Sequence, residues 1–92
     1  MKYFAAFLSM RDPEKSQSLR AQHLEYLAQR EGEGKIFARG RFVDGAGGLV
    51  IYQAKTLEEA RQIAGADPYV TSGARELDLH EWEMTTRPTS AP

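Results

Sequence analysis

In the stretch "LRAQHLEYL" one histidine, His23, falls at helical spacing between Leu19 and Leu27, close to the centre of an apolar stripe. An imidazole placed there faces the interior, and its desolvation is offset only where an acceptor lies nearby. A partly buried carboxylate meets that need. Asp67, in "AGADPYVTSGA", is the obvious candidate. Its ordinary role is to cap a helix: Asp accepts from backbone amides, and Pro68 fits the first helical position because it has no amide hydrogen to leave unbonded. The two roles are compatible, since a carboxylate has two oxygens. Imidazole has an unperturbed pKa of about 6.5, close to working pH, and one oriented by a carboxylate can contribute about 10²- to 10⁴-fold to a proton transfer. The competing reading of the same two residues is a buried structural pair with no chemistry.

Lys35, Arg39 and Arg41 recur at every second or fourth place along "KIFARGRFV", residues 35–43, and are expected on one side of a strand with Phe37 between them. On an edge strand such residues ordinarily block sheet-to-sheet aggregation. Their functional reading is a cation that grips the carboxylate of a small anionic substrate, through Arg39 or Arg41, whose planar fork suits it better than Lys. Tyr69 either lines the same pocket or is a core aromatic. His80 alternates with Trp82 and Met84 and shares a strand face with Asp78. His23, His80, Asp67 and Asp78 make no short ligand motif, so no metal and no other cofactor is expected. The chain has no cysteine and no serine at a nucleophile motif, which excludes thiolate chemistry and leaves acyl-enzyme chemistry unsupported.

The elements that must position these groups follow from periodicity. "KYFAAFLSM", residues 2–10, is a run of strand formers ended by Arg11-Asp12-Pro13. From Pro13 to about Glu31 the pattern is helical, with Asp12 as cap and Gly32 and Gly34 as stops. Residues 35–43 and 48–54 are two strands joined by Asp44-Gly45-Ala46-Gly47, a hairpin signal. Thr56 and Glu59 form a capping box ahead of a second helix that Gly65 can close. Ser72-Gly73 fits a turn ending in a left-handed residue, and Glu76 to Met84 alternates as a fourth strand. The order βαββαβ predicts an α+β, ferredoxin-like domain over residues 1–84: a four-stranded antiparallel sheet with two helices on one face. Residues 85–92 are expected to be a disordered polar tail.

Strands one and three are central in that arrangement and carry apolar residues on both faces, Tyr3, Ala5 and Phe7 against Phe4, Ala6 and Leu8 in the first. Helices cover one face only. A homodimer that packs the open sheet faces together is therefore expected. A net charge of −1, from 12 basic and 13 acidic residues, gives no field for a polyanion. RNA-recognition domains share the element order, but "GLVIYQA" lacks their basic and aromatic signature, so no nucleic acid is expected. No segment reaches the roughly 20 apolar residues of a membrane span and no signal peptide is evident, which points to a cytoplasmic protein with no membrane partner.

Taken together, "AQHLEYL", "ARGRFVDGAGGLVIY", "TLEEARQIAGADPYVTSGA" and the terminal strand resemble the YCII-related (YciI-like) domain family over residues 1 to about 84; "DPY" followed by Gly73 is the most specific part. The resemblance implies a dimeric α+β barrel, similar in fold to muconolactone isomerases, in which His23 and Asp67 match the family's catalytic pair beside a cleft. Some members act in the breakdown of aromatic-derived lactones. Many members carry Gly-Pro where this chain has Gly40-Arg41, which implies a different cleft wall near strand two. The function expected is cofactor-free proton transfer or elimination, lyase- or isomerase-like, on a small anionic molecule. The alternative is a non-catalytic dimeric ligand-binding or accessory module.

Overall fold

The computed structural model describes residues 1–86. Four strands, β1 (Lys2–Met10), β2 (Ile36–Arg41), β3 (Gly47–Ala54) and β4 (Arg75–Trp82), form one antiparallel sheet in the order β2-β3-β1-β4. The helices α1 (Pro13–Ser18), α2 (Arg20–Gly32), α3 (Leu57–Gly65) and α4 (Pro68–Thr71) lie between them in sequence. The architecture is the expected α+β sheet with helices packed on it, and β1 and β3 are its central strands. The polar tail expected over 85–92 lies, from residue 87 onward, outside the described residues.

Alternation decides which side chains meet the helices. Phe4, Ala6 and Leu8 of β1 pair across the register with Tyr52, Val50 and Gly48 of β3, and these six point to the helical side. There Phe4, Ala6, Leu8, Val50 and Tyr52 form one core with Leu27 of α2 and Ala60, Ile63 and Ala64 of α3. The opposite parity, Ala5 and Phe7 against Ile51 and Leu49, lines the open face. Phe7, Phe37 and Trp82 remain 39%, 49% and 44% exposed, an unusual concentration of large apolar groups for a solvated face.

Three local features depart from the expected pattern. The single helix over Pro13 to Glu31 is two helices, because Leu19 leaves helical geometry at φ −100°, ψ 3°. The Ser18 hydroxyl donates to the Lys15 carbonyl at 3.2 Å, the kind of local bond by which serine competes with helix continuation. In β2 a register shift between Ile36 and Ala38 turns Phe37 to the open face, where it meets Tyr3 edge-on at 5.4 Å. Phe37 thus does not share a face with Arg39 and Arg41, as unbroken alternation predicts, because a bulge reverses parity. Gly65 is the last residue of α3 and takes no positive φ; after the helices it is Gly34 and Gly73, at +77° and +78°, that take the left-handed conformation.

The hairpin between β2 and β3 is held by Gly47. Its φ is +134°, and a Cβ built there would sit 2.0 Å from the Leu8 carbonyl oxygen. Only glycine lets β1 approach this closely.

Candidate functional site

The site begins with a cap. Asp67 precedes α4 in extended geometry (φ −60°, ψ 131°), and its Oδ1 accepts from the Tyr69 amide at 2.9 Å. The capping geometry turns the carboxylate back toward α2, where His23 Nδ1 donates to Oδ1 at 2.8 Å and Oδ2 at 2.9 Å. Asp67 is fully buried and His23 is 8% exposed. One residue is therefore both helix cap and imidazole partner. A carboxylate that ends a helix start cannot drift, so the ring it holds is fixed in plane and tautomer: with Nδ1 donating, Nε2 carries the lone pair. Nε2 has no protein partner among the described residues, and it is not sealed, since Arg30 Nε is the buried side-chain nitrogen or oxygen there without one.

Tyr69 follows from the same cap. Two residues beyond Asp67, it is 3% exposed and stacks on His23 with centroids 3.9 Å apart and planes 10° from parallel. The Arg75 guanidinium lies 4.4 Å from the centre of that tyrosine ring. Arg75 is itself anchored: Nε donates to the Ser16 hydroxyl at 3.0 Å and Nη1 to the Leu8 carbonyl at 3.5 Å. Tyr52, beneath the pair, stays neutral, because burial and then the Asp67 charge push its phenol well above its ordinary range.

His23 and Tyr69 face a cavity of about 270 Å³ between α2 and the β2-β3 end of the sheet. Arg39, Arg41, Arg20 and Arg75 line it, and among the described residues no acidic side chain does. The five residues singled out by sequence, His23, Asp67, Tyr69, Arg39 and Arg41, thus converge on one place, with Asp67 behind the wall. Arg39 is not free there: Nε and Nη2 donate to Glu31 at 2.8 and 3.1 Å. The bond to Arg39 holds the Glu31 carboxyl below the usual carboxylate range, and the same bond raises Arg39. Lys35 approaches Glu33 at 3.7 Å and takes no part in the lining.

Arg20 and Arg75 were missed by sequence reasoning, although signals existed. Arg20 stands one helical turn before His23. Arg75 shares parity with the inward Leu77 and Leu79 of β4. His80 lies instead on the open face, 2.9 Å from Asp78. Among the described residues no group of three or more His, Cys, Asp or Glu is placed to hold a metal ion, and no helix is long and apolar enough to cross a membrane.

Comparison with known proteins gives consistent results. A solved structure of 5-chloro-2-hydroxyhydroquinone dehydrochlorinase (TftG) from Burkholderia phenoliruptrix AC1100, in complex with 2,5-dihydroxybenzoquinone, superposes with a TM-score of 0.77. The alignment covers 90% of this chain and 95% of that one at 20% identity, which establishes a shared fold. The uncharacterized protein YjpA of Bacillus subtilis (strain 168) is 38% identical over 82 residues, 89% of this chain and 96% of its own length. The model of the YCII-related domain matches residues 1–83, nearly all that the structure describes, and the chain belongs to that family.

Proposed function

We propose that the protein is a small cytoplasmic homodimeric enzyme that carries out cofactor-free proton transfer or elimination on a small anionic molecule, with His23 as the base or acid. The observation that carries this reading is the imidazole held by a buried carboxylate at 2.8 Å while its ring lines an open cavity. Asp67 fixes the tautomer, leaving Nε2 to take a proton from the substrate and return it to the leaving group or a neighbouring carbon. Tyr69 sets the plane of the ring by stacking. Arg41 holds the carboxylate or oxyanion, and Arg39 assists through Nη1, the guanidinium nitrogen not bonded to Glu31. The likeness to TftG supports an elimination of this type, since that protein is named a dehydrochlorinase.

The second copy covers the open face, where Ala5, Phe7, Leu49, Ile51 and Trp82 border an apolar groove of about 320 Å³. Burying such a face against itself removes apolar area from water at about 25 cal/mol per Å².

A His23→Gln variant tests the reading. Gln keeps a hydrogen-bond donor for Asp67 but transfers no proton. Chloride release from 5-chloro-2-hydroxyhydroquinone, and solvent proton exchange into unsaturated lactone carboxylates, are the assays. The proposal expects turnover of at least one substrate and its loss by about 10²-fold or more in the variant, with the fold retained. Undiminished turnover in the variant, or none in the parent on any of these substrates, would favour a structural pair in a ligand-binding module.

A further inference from the structure

Four of the chain's eight arginines meet at one cavity in a protein whose net charge is −1. That concentration is not a by-product of composition. Guanidinium groups are always charged, so crowding four of them beside the single Glu31 carboxylate opposes folding by like-charge repulsion unless further anions enter. Two of the four are already engaged: Arg39 by the Glu31 carboxylate, and Arg75 by Ser16, the Leu8 carbonyl and the Tyr69 ring. The Arg20 and Arg41 side chains make no hydrogen bond or ion pair among the described residues, and both residues are exposed at the cavity.

These two arise from different layers of the fold. Arg20 opens α2, one turn before His23, whereas Arg41 ends β2 opposite Gly48. Each presents a planar fork that a carboxylate accepts bidentately. With His23 and Tyr69 between the helix and sheet walls, one anionic group satisfies one fork and leaves the other unneutralised.

Resting on the acid–base reading of this site, we infer that its ligands carry two separated anionic groups, as an aromatic or unsaturated dicarboxylate does, one held by Arg41 and the other by Arg20. A monoanion fills only half of the recognition. The arginines then fix which bond of the ligand lies under His23, and charge count becomes the main determinant of specificity.

Titration calorimetry with phthalate, isophthalate and terephthalate against benzoate tests this, since the four probes share one ring and differ in the number and placement of carboxylates. The best dicarboxylate is expected to bind at least about tenfold more tightly than benzoate at low ionic strength. Arg20→Gln and Arg41→Gln should each abolish that advantage without lowering the thermal midpoint, both positions being exposed and each change relieving like-charge repulsion. Benzoate binding as well as all three dicarboxylates, binding of none of the three, or an advantage that survives in both variants overturns the inference. The imidazole NMR signals of His23 separate this failure from that of the parent reading. If benzoate and dicarboxylates bind alike and both shift those signals, the site stands and the double charge falls; if no bound probe shifts them, the site itself falls.

Discussion

Replacing Asp67 with asparagine changes a single atom and should reverse the proton arrangement of His23. In the native protein Oδ1 accepts from the Tyr69 amide at 2.9 Å, and the carboxylate also accepts from His23 Nδ1 at 2.8 and 2.9 Å. Asparagine keeps one oxygen, which the helix cap claims because the Tyr69 N–H has no other acceptor. The side-chain NH₂ then faces Nδ1, so Nδ1 must accept and the ring proton moves to Nε2. The lone pair at Nε2 disappears while the packing stays. A charge-assisted bond contributes about 1.5–3 kcal/mol and a neutral one about 0.5–1.5, so the exchange costs about 1 kcal/mol. For a domain of this size that lowers the midpoint by roughly 4–8 °C. Asp67→Ala removes the cap as well and strands a buried donor, for about 2–4 kcal/mol in total. The assay is ¹⁵N-detected imidazole NMR at pH about 8.5, well above the ordinary imidazole value of about 6.5, alongside thermal melting. Nδ1–H in the parent and Nε2–H in Asp67→Asn are expected. The same tautomer in both, or a melting midpoint that does not move, refutes the reasoning.

Gly47→Ala should be severe, costing about 3 kcal/mol or more, because a methyl at φ +134° would be forced to within 2.0 Å of the Leu8 carbonyl; a chemical denaturation midpoint near that of the parent would contradict the close approach. Glu31, paired with Arg39, should titrate below the usual carboxylate range, and Arg39→Gln should return it to that range. Because its folded-state pKa is depressed, whatever the pair contributes is present above the unfolded pKa and is lost as pH falls through the folded one. Carboxyl-detected NMR titration reads both midpoints, and an unchanged Glu31 midpoint in the variant would show that Arg39 is not the cause. Phe7→Glu, on the open face, should convert a dimer to a monomer in sedimentation velocity; a parent that is monomeric at micromolar concentration removes the dimer from the account.

The sequence revealed the frame of the site because its signals are local. A stripe position marks His23, the Asp-Pro dipeptide marks the cap, and Thr56 with Glu59 marks α3, where the Thr56 hydroxyl accepts the Glu59 amide at 3.1 Å. What stayed hidden depends on relations across the fold. The break at Leu19 coincides with a serine bonding to its own turn, and the parity reversal at Phe37 exists only in the pairing of β2 with β3. Arg39 and Glu31 are eight residues apart and meet because Gly34, at φ +77°, folds β2 back beside α2. Nothing in "REGEGKIFARG" announces that pair, and its consequence is functional: it removes most of one candidate cation and leaves Arg41 as the open one.

In the proposed mechanism His23 meets a ligand in the cavity with Nε2 while Asp67 holds Nδ1. A crystal structure with 2,5-dihydroxybenzoquinone or a small carboxylate bound tests it most directly. A ligand atom is expected within about 3 Å of Nε2, with an oxygen on the Arg41 guanidinium and the His23–Asp67 bond intact. Ligand seated only on the open sheet face, or in the cavity with Nε2 turned away from it, would contradict it.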